Sequence, residues 1–233
     1  MTNLGIAQAL AFEPRKAFIE IGERPRYWFP LLVLLIATLA TSLWYLSVVD
    51  MGWLIDQQLH QSALARNLTE DQIAQQVAAA QGRRGLQMGV SGIAIVFIVP
   101  VIMLIFALYN FLVGKVVGFE RTFRQWFSFV TWTALPGALA LIPAAILLST
   151  TESTQIPQQA LKTLSLNALF FHRAVGEPGY SVLSNLDLFG LASLVLSLVG
   201  VKVWSGRSWL FASLFVGIPW VLIYGPWALF SFR

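Results

Sequence analysis

The sequence predicts an all-α membrane protein in which five transmembrane helices form a bundle and a short amphipathic helix precedes them. Of the 233 residues, 57% are hydrophobic and only 11% are charged, whereas a soluble domain carries about 25% charged residues. The mean hydropathy is +0.71. Five apolar runs are each long enough to cross a bilayer as a helix, which takes about 20 residues.

The first apolar run, residues 28–49, contains no charged residue. Trp28 and Trp44 bracket it at the depth of the lipid headgroups, where amphipathic rings are favoured, and Arg24 and Arg26 precede it. We therefore predict the first transmembrane helix here. A cleavable signal peptide ending at Ala40 is disfavoured, because the apolar run continues beyond that residue.

Residues 1–27 form a cytoplasmic amphipathic segment. Pro14 suits the first position of a helix, and Ala17, Phe18 and Ile21 then share one helical face. Around that face lie four basic residues: Arg15, Lys16, Arg24 and Arg26. The pattern favours a helix in the membrane interface, with Phe18 and Ile21 inserted between anionic headgroups. A flexible basic tail is the alternative.

Residues 28–233 form the membrane domain, with the later spans at about 88–113, 126–149, 186–204 and 209–232 and outer loops at 50–87 and 150–185. In the first outer loop, Thr69 and Gln72 match a capping box. Two apolar stripes predict two short helices there: Met51, Ile55 and Leu59, then Ile73, Val77 and Ala80. These helices could form a lid, a docking surface or a simple covering for the ends of the bundle.

The basic residues predict the orientation. Nine Lys and Arg residues fall on the side of the N-terminus, and six lie in the longer loops of the other side. The positive-inside rule then places the N-terminus in the cytoplasm and the C-terminus outside. Because the basic residues flank apolar runs, the net charge of +4 is explained by the orientation of the spans in the membrane. We therefore expect no nucleic-acid partner.

Three groups of residues, in the same order along the chain, resemble motifs of the Yip family of integral membrane proteins in its bacterial form. The first group covers residues 12–18 (FEPRKAF), residues 23–26 (ERPR) and Pro30. The second covers residues 121–126 (RTFRQW) and 134–136 (ALP). The third covers residues 186–189 (LDLF), Leu196, Gly200 and residues 205–208 (SGRS). Residues 69–73 (TEDQI) resemble a recurrent segment of the first outer loop in that family.

The resemblance implies a five-helix domain in the bacterial inner membrane, with no established reaction. It singles out candidate functional residues in this sequence: Phe12, Pro14, Phe18, Arg24, Pro25, Pro136, Asp187 and Phe189. The family usually has an aromatic residue where this chain reads Gly190-Leu191-Ala192. Eukaryotic relatives with small GTPase partners carry a long cytosolic segment. This chain has only a short one, so a small GTPase partner is not supported.

The sequence points to no enzyme and to no cofactor or metal. There is no cysteine, and neither a zinc-protease, a serine-hydrolase nor a phosphate-binding motif occurs. His60 and His172 lie in different outer loops without ligand spacing. His172, beside Arg173 and near Glu177, could contribute to a site, and a solvated loop histidine is the alternative.

Asp187 is a charged residue at the predicted outer end of the fourth span. It could stabilise that helix through the dipole, with Asn185 or Ser184 as the cap. It could instead belong to a polar site shared with Arg173 or Glu177. No charge lies in the central part of a span, which disfavours an ion-coupled pump.

These features support two hypotheses about function. The first is a non-enzymatic membrane protein that organises the bilayer or recruits protein partners, including copies of itself. The alternative is a carrier or flippase for a lipid or apolar solute, because five prolines fall within the spans and bent helices build many transport sites: Pro100, Pro136, Pro143, Pro219 and Pro226. A polar cavity that reaches the midplane would favour transport, and a packed core would favour the first hypothesis.

Overall fold

The computed structural model describes residues 1–61 and 68–232. Arg66 and Arg233, which were counted above in the charge balance, lie outside these residues. The helices in chain order are α1 (Asn3–Phe12), α2 (Pro14–Glu23), α3 (Trp28–Val48), α4 (Met51–Gln61), α5 (Glu70–Gln81), α6 (Arg84–Val116), α7 (Phe123–Thr133), α8 (Leu141–Thr150), α9 (Tyr180–Asn185), α10 (Leu188–Ser205) and α11 (Trp209–Ser231). Two short 3₁₀ segments occur at Leu135–Ala140 and Gln158–Leu161, and a π-helical turn at Asn167–Phe171.

Among the described residues, five segments are long and apolar enough to cross a membrane, so the predicted five-span fold is confirmed: Trp28–Val48, Arg84–Val116, Phe123–Thr150, Leu188–Ser205 and Trp209–Ser231. The third of these segments is not one continuous α-helix. α7 ends at Thr133, and a 3₁₀ segment that contains Pro136 joins it to α8. Proline has no N–H for the α-helical bond to Trp132, and its ring crowds that carbonyl, so the α-helix is interrupted here.

α1 and α2 form a helical hairpin, which we call the N-terminal hairpin, and α2 packs against α7 and α10. Pro14 occupies the first turn of α2. The amphipathic face lies where the sequence indicates, since Ala17, Phe18 and Ile21 are completely buried. The expected insertion of Phe18 and Ile21 between lipid headgroups is wrong, because these side chains fill the protein core instead.

The core beneath α2 is aromatic. Trp126 and Phe129 of α7 meet Trp204 of α10 and Phe215 of α11, with ring centroids 5.0–5.6 Å apart. Such tilted, edge-on and offset arrangements are the favoured geometries of aromatic pairs. This core joins α2, α7, α10 and α11 on one side of the bundle.

The connections 117–122 and 206–208 lie at the end of the bundle that we call the basic end. There Arg121 donates to the carbonyl of Trp204 and Arg207 to that of Gly118, each at 3.2 Å. At the opposite end, the loop end, Arg84 donates to the carbonyls of Ser47 and Val49. Arg84 therefore satisfies carbonyls that the end of α3 leaves free.

α4 lies at the loop end, where it packs against the end of α3, and α5 follows it. The predicted capping box of α5 is present, with reciprocal bonds of 3.0 and 3.3 Å between Thr69 and Gln72. α4 buries Met51 and Leu54 in a small apolar cluster with the end of α3. The apolar cluster holds α4 against the end of α3, and α5 in turn packs against α4.

Candidate functional site

A groove opens between α6 and α11. On the basic-end side the two helices touch, since the hydroxyl of Tyr109 donates to the carbonyl of Phe215 at 2.9 Å. On the loop-end side of this contact a cavity of about 810 Å³ lies between them. We call it the lateral groove. Its walls include Ile105 of α6 and Leu222 of α11, which are 60% and 68% exposed, so the groove is open to the surroundings of the membrane helices.

The helix sequences explain why this space stays open. α11 contains Pro219, which lines the groove. A proline inside a helix removes one hydrogen bond and bends the axis. Gly137 and Gly190 line the groove from the third and fourth spans and bring no side chain into it. Pro219 and the two glycines therefore leave room for the groove.

Three polar side chains stand together in the lining of the lateral groove, and we call them the polar mouth. The ammonium of Lys162 donates to Oδ1 of Asn185 at 2.9 Å and lies 3.6 Å from Oδ2 of Asp187. Asp187 is the N-cap of α10, and its Oδ1 accepts the N–H of Gly190 at 2.7 Å. The polar mouth thus combines one cation, one anion and an amide.

Two expectations about Asp187 are corrected here. Asp187 caps α10 itself, so neither Asn185 nor Ser184 is the cap. Its charged neighbour is Lys162 and not Arg173, which instead donates to the carbonyl of Pro178. The carboxylate of Glu177 accepts the N–H of Ala174 and so belongs to a separate local turn.

A short backbone pairing explains why Lys162 lies beside α10. Ser165 and Asp187 form an isolated antiparallel bridge. Around it, Leu166 donates to the carbonyl of Leu186 at 2.7 Å and Leu188 to that of Leu164 at 3.1 Å. The residues after the second 3₁₀ segment are therefore fixed against the start of α10.

Aromatic rings form one wall of the groove. On α11, Trp220 stacks on Tyr224 with centroids 4.9 Å apart, and Tyr224 stacks on Trp227 at 5.8 Å. The ring of Trp220 lies 4.0 Å from the position that a Cβ would take at Gly190. Trp220, Tyr224 and the polar mouth therefore belong to the same space.

A smaller cavity of about 190 Å³, the inner pocket, adjoins the groove and shares Phe106, Ser193, Pro219 and Trp220 with it. Asn110, which is 9% exposed, brings a polar carboxamide to its lining. The hydroxyls of Thr133, Ser193 and Ser197 also line it, and each donates to a carbonyl of its own helix. Polar groups are therefore present next to the apolar part of the groove.

The residues singled out from the sequence fall into two sets. Asp187 and Phe189 line a cavity of about 390 Å³ together with Lys162. Phe189 and Pro136 line another cavity, of about 770 Å³, whose lining also includes residues of α1. The other five lie in the N-terminal segment and line none of these cavities: Phe12, Pro14, Phe18, Arg24 and Pro25.

Sequence reasoning missed Lys162, Asn110, Trp220 and Tyr224. The spacing of Trp220, Tyr224 and Trp227 was a usable signal, because residues four and three apart share one helical face. Lys162 gave no such signal, since its neighbours are set by the backbone bridge at Ser165.

The histidines and acidic residues bring no further site together. Within residues 1–61 and 68–232, no group of three or more His, Cys, Asp or Glu side chains is placed to hold a metal ion. His60 lies 3.4 Å from the carboxylate of Asp56, and a hydrogen bond to the main-chain carbonyl of Asp56 raises the pKa of His60. His172 is an exposed loop residue in the left-handed backbone region.

A family model described as the Yip1 domain matches residues 8–230. The chain belongs to the Yip1 domain family. The resemblance to the Yip family that was based on sequence motifs is thereby confirmed, and with the five apolar helices the family makes this Yip1-domain chain a multi-pass membrane protein. Neither the curated proteins nor the solved structures that were compared with it match this chain.

Proposed function

We propose that this Yip1-domain protein is a non-enzymatic membrane protein that binds a phospholipid in the lateral groove and thereby organises the bilayer around it. The observation that carries this proposal is the composition of one continuous space. Its walls between α6 and α11 are apolar and open towards the membrane, and charged groups lie in the same lining. A phospholipid has the same two parts, an acyl chain and a charged headgroup.

The size of the groove supports the same ligand class. Sites for small molecules commonly have volumes of about 300–1,000 Å³, and the groove, at about 810 Å³, lies in the upper part of that range. Apolar side chains contribute contact with an acyl chain, and Lys162 supplies the cation that a phosphate needs. Binding of this kind requires no catalytic group.

The setting of the protein completes the proposal. We place it in the bacterial inner membrane, with the basic end in the cytoplasm and the loop end outside. Nine basic residues belong to the basic end and its N-terminal segment, which supports this orientation through the positive-inside rule. The polar mouth would then meet the outer headgroup layer. The proposed organising role includes contacts with other proteins or with further copies of this chain. We do not propose a small GTPase as a partner.

A matched pair of groove variants tests lipid binding. The intact protein is purified in mild detergent, and phospholipid retained per chain is measured by native mass spectrometry. Ile105 lines the groove, whereas Ile98, about two helical turns earlier on α6, does not. The two side chains are similarly exposed, at 60% and 54%. Ile105→Trp should lower the retained lipid severalfold, and Ile98→Trp should leave it at the level of the unmodified protein. Equal retention in both variants, or none in the unmodified protein, would contradict the proposal.

The inner pocket favours lipid transfer as a second candidate function. Asn110 and Ser197 place polar groups beyond the polar mouth, next to the apolar groove. A headgroup that crosses the bilayer needs polar groups to contact on its way. The test uses vesicles that carry a fluorescent lipid in the inner leaflet only. Transfer to the outer leaflet would appear as loss of fluorescence when a quencher is added outside. Transfer that Asn110→Leu slows would establish a carrier. Lipid retention without transfer would leave the organising role alone.

A further inference from the structure

We infer that the phospholipid headgroup bound at the polar mouth is zwitterionic, with its ammonium at Asp187 and its phosphate at Lys162. This inference rests on the proposed lipid-binding function and specifies the class of lipid. The starting observation is that the groove presents both charges side by side, with 3.6 Å between the ammonium of Lys162 and Oδ2 of Asp187.

The pairing within the polar mouth leaves both charges open to exchange. Oδ1 of Asp187 accepts the N–H of Gly190 at 2.7 Å, whereas Oδ2 lies at the longer distance of 3.6 Å from the ammonium of Lys162. Lys162 has three N–H donors, of which one is directed to Asn185 at 2.9 Å. Its side chain is 39% exposed and that of Asp187 is 16% exposed. A ligand with opposite charges can therefore replace one ion pair by two.

The aromatic wall favours a cation on the Asp187 side. The stacked rings of Trp220 and Tyr224 line the groove with Asp187, and Trp220 reaches the first turn of α10 at Gly190. Aromatic faces attract ammonium groups, and most strongly where water is excluded. An ammonium placed here meets a carboxylate and ring faces together.

An anionic headgroup fits this site less well. Its phosphate could pair with Lys162, but Asp187 would then face a second negative charge at the same mouth. Like charges brought together in a partly dehydrated site repel each other. The charge pattern thus selects against lipids that carry a phosphate without an ammonium, and both primary and quaternary ammonium groups satisfy it.

The test compares headgroups on the intact protein in nanodiscs. Phosphatidylethanolamine, phosphatidylcholine and phosphatidylglycerol with identical acyl chains are supplied in equal amounts, and the retained lipid is identified by native mass spectrometry. We expect either zwitterionic lipid to exceed phosphatidylglycerol by about tenfold, which corresponds to about 1.4 kcal/mol. The two zwitterionic lipids separate a primary from a quaternary ammonium, and a preference for either one supports the inference.

The Asp187→Asn variant gives the decisive comparison. Asparagine caps a helix as well as aspartate does, so α10 should persist while the anion is lost. The excess of retained zwitterionic lipid over phosphatidylglycerol should then decrease. Asp50→Asn is the matched control, because Asp50 also accepts a helix N–H, that of Trp53, and lies outside the groove. It should keep the preference of the unmodified protein.

The possible outcomes separate the two proposals. Lipid retention with no headgroup preference, or with a preference for phosphatidylglycerol, would overturn the zwitterion assignment and leave lipid binding in place. A preference that Asp187→Asn does not change would also overturn it. Failure to retain any of the three lipids would reject the lipid-binding function itself.

Discussion

The indole Nε1 of Trp204 donates to the main-chain carbonyl of Phe18 at 2.6 Å and so fastens the N-terminal hairpin to α10. Two further side chains of the bundle act in the same way. Gln125 donates to the carbonyl of Gly22 at 2.7 Å, and Trp132 to that of Arg26 at 2.6 Å. Residues 14–26 are therefore an integral part of the folded domain and not an appended tail.

Gly200 permits this contact, and enlarging it should loosen α2. A Cβ at Gly200 would come within 2.4 Å of the ring of Phe129 and 2.6 Å of the ring of Phe18. Overpacking costs about 1–3 kcal/mol, and the short contacts favour the upper part of that range, so Gly200→Ala should be destabilising despite a gain of about 1 kcal/mol in helix propensity. Unfolding of the purified protein by added denaturing detergent measures the difference.

Gly217→Ala is the control for Gly200→Ala. Gly217 lies inside α11, and a Cβ there has no atom within 4 Å among the residues that the structure describes. The substitution should be neutral or slightly stabilising. If both alanine variants behave alike, the close approach of α2 to α10 is not a determinant of stability.

Truncation of Phe18 should destabilise the protein far more than truncation of Phe12, although both residues belong to the motif 12–18. Phe18 is 0% exposed and Phe12 is 84% exposed. Phe18→Ala should cost about 3–5 kcal/mol, because it leaves a cavity in the aromatic core, whereas Phe12→Ala should stay within about 0.5 kcal/mol. The same detergent titration compares them. A larger loss for Phe12 would show that the hairpin is held by lipid contact and not by the bundle.

Asp187 should reveal its capping role through two substitutions. Asp187→Asn keeps a capping side chain but loses the charge at the start of α10, at a cost of about 0.3–1 kcal/mol. Asp187→Ala also loses the hydrogen bond to Gly190, and caps of this kind contribute about 0.5–2 kcal/mol. Thermal unfolding should rank the unmodified protein first, then the asparagine variant, then the alanine variant. Equal losses would argue against the capping role.

The orientation is tested by a reporter that is active only in the cytoplasm. Fused after Arg233 it should give no signal, because five spans and a cytoplasmic N-terminus put the C-terminus outside. Fused within the connection 117–122, at the basic end, it should be active. A strong signal at the C-terminus would invert the assignment of the basic end and the loop end.

The sequence determined the features that depend on neighbours in the chain. Apolar run length gave the five spans, and the Thr69–Gln72 spacing gave the capping box of α5. Helical periodicity also found the buried face of α2, with Phe18 and Ile21 on it. Each of these properties follows from local geometry, since hydrogen bonds and side-chain directions in a helix repeat along a few residues.

The tertiary structure alone decided what those faces meet. An apolar face is equally suited to lipid and to protein, so periodicity could not place Phe18 against Gly200 rather than among headgroups. Similarly, Lys162 and Asp187 are brought to 3.6 Å by a backbone bridge at Ser165 between segments far apart in the chain. The lateral groove depends on where α6 and α11 touch, at Tyr109 and Phe215. Packing between distant segments fixes such contacts, and in a membrane protein hydrophobicity alone does not select among them, because the surrounding lipid is as apolar as the partner helix.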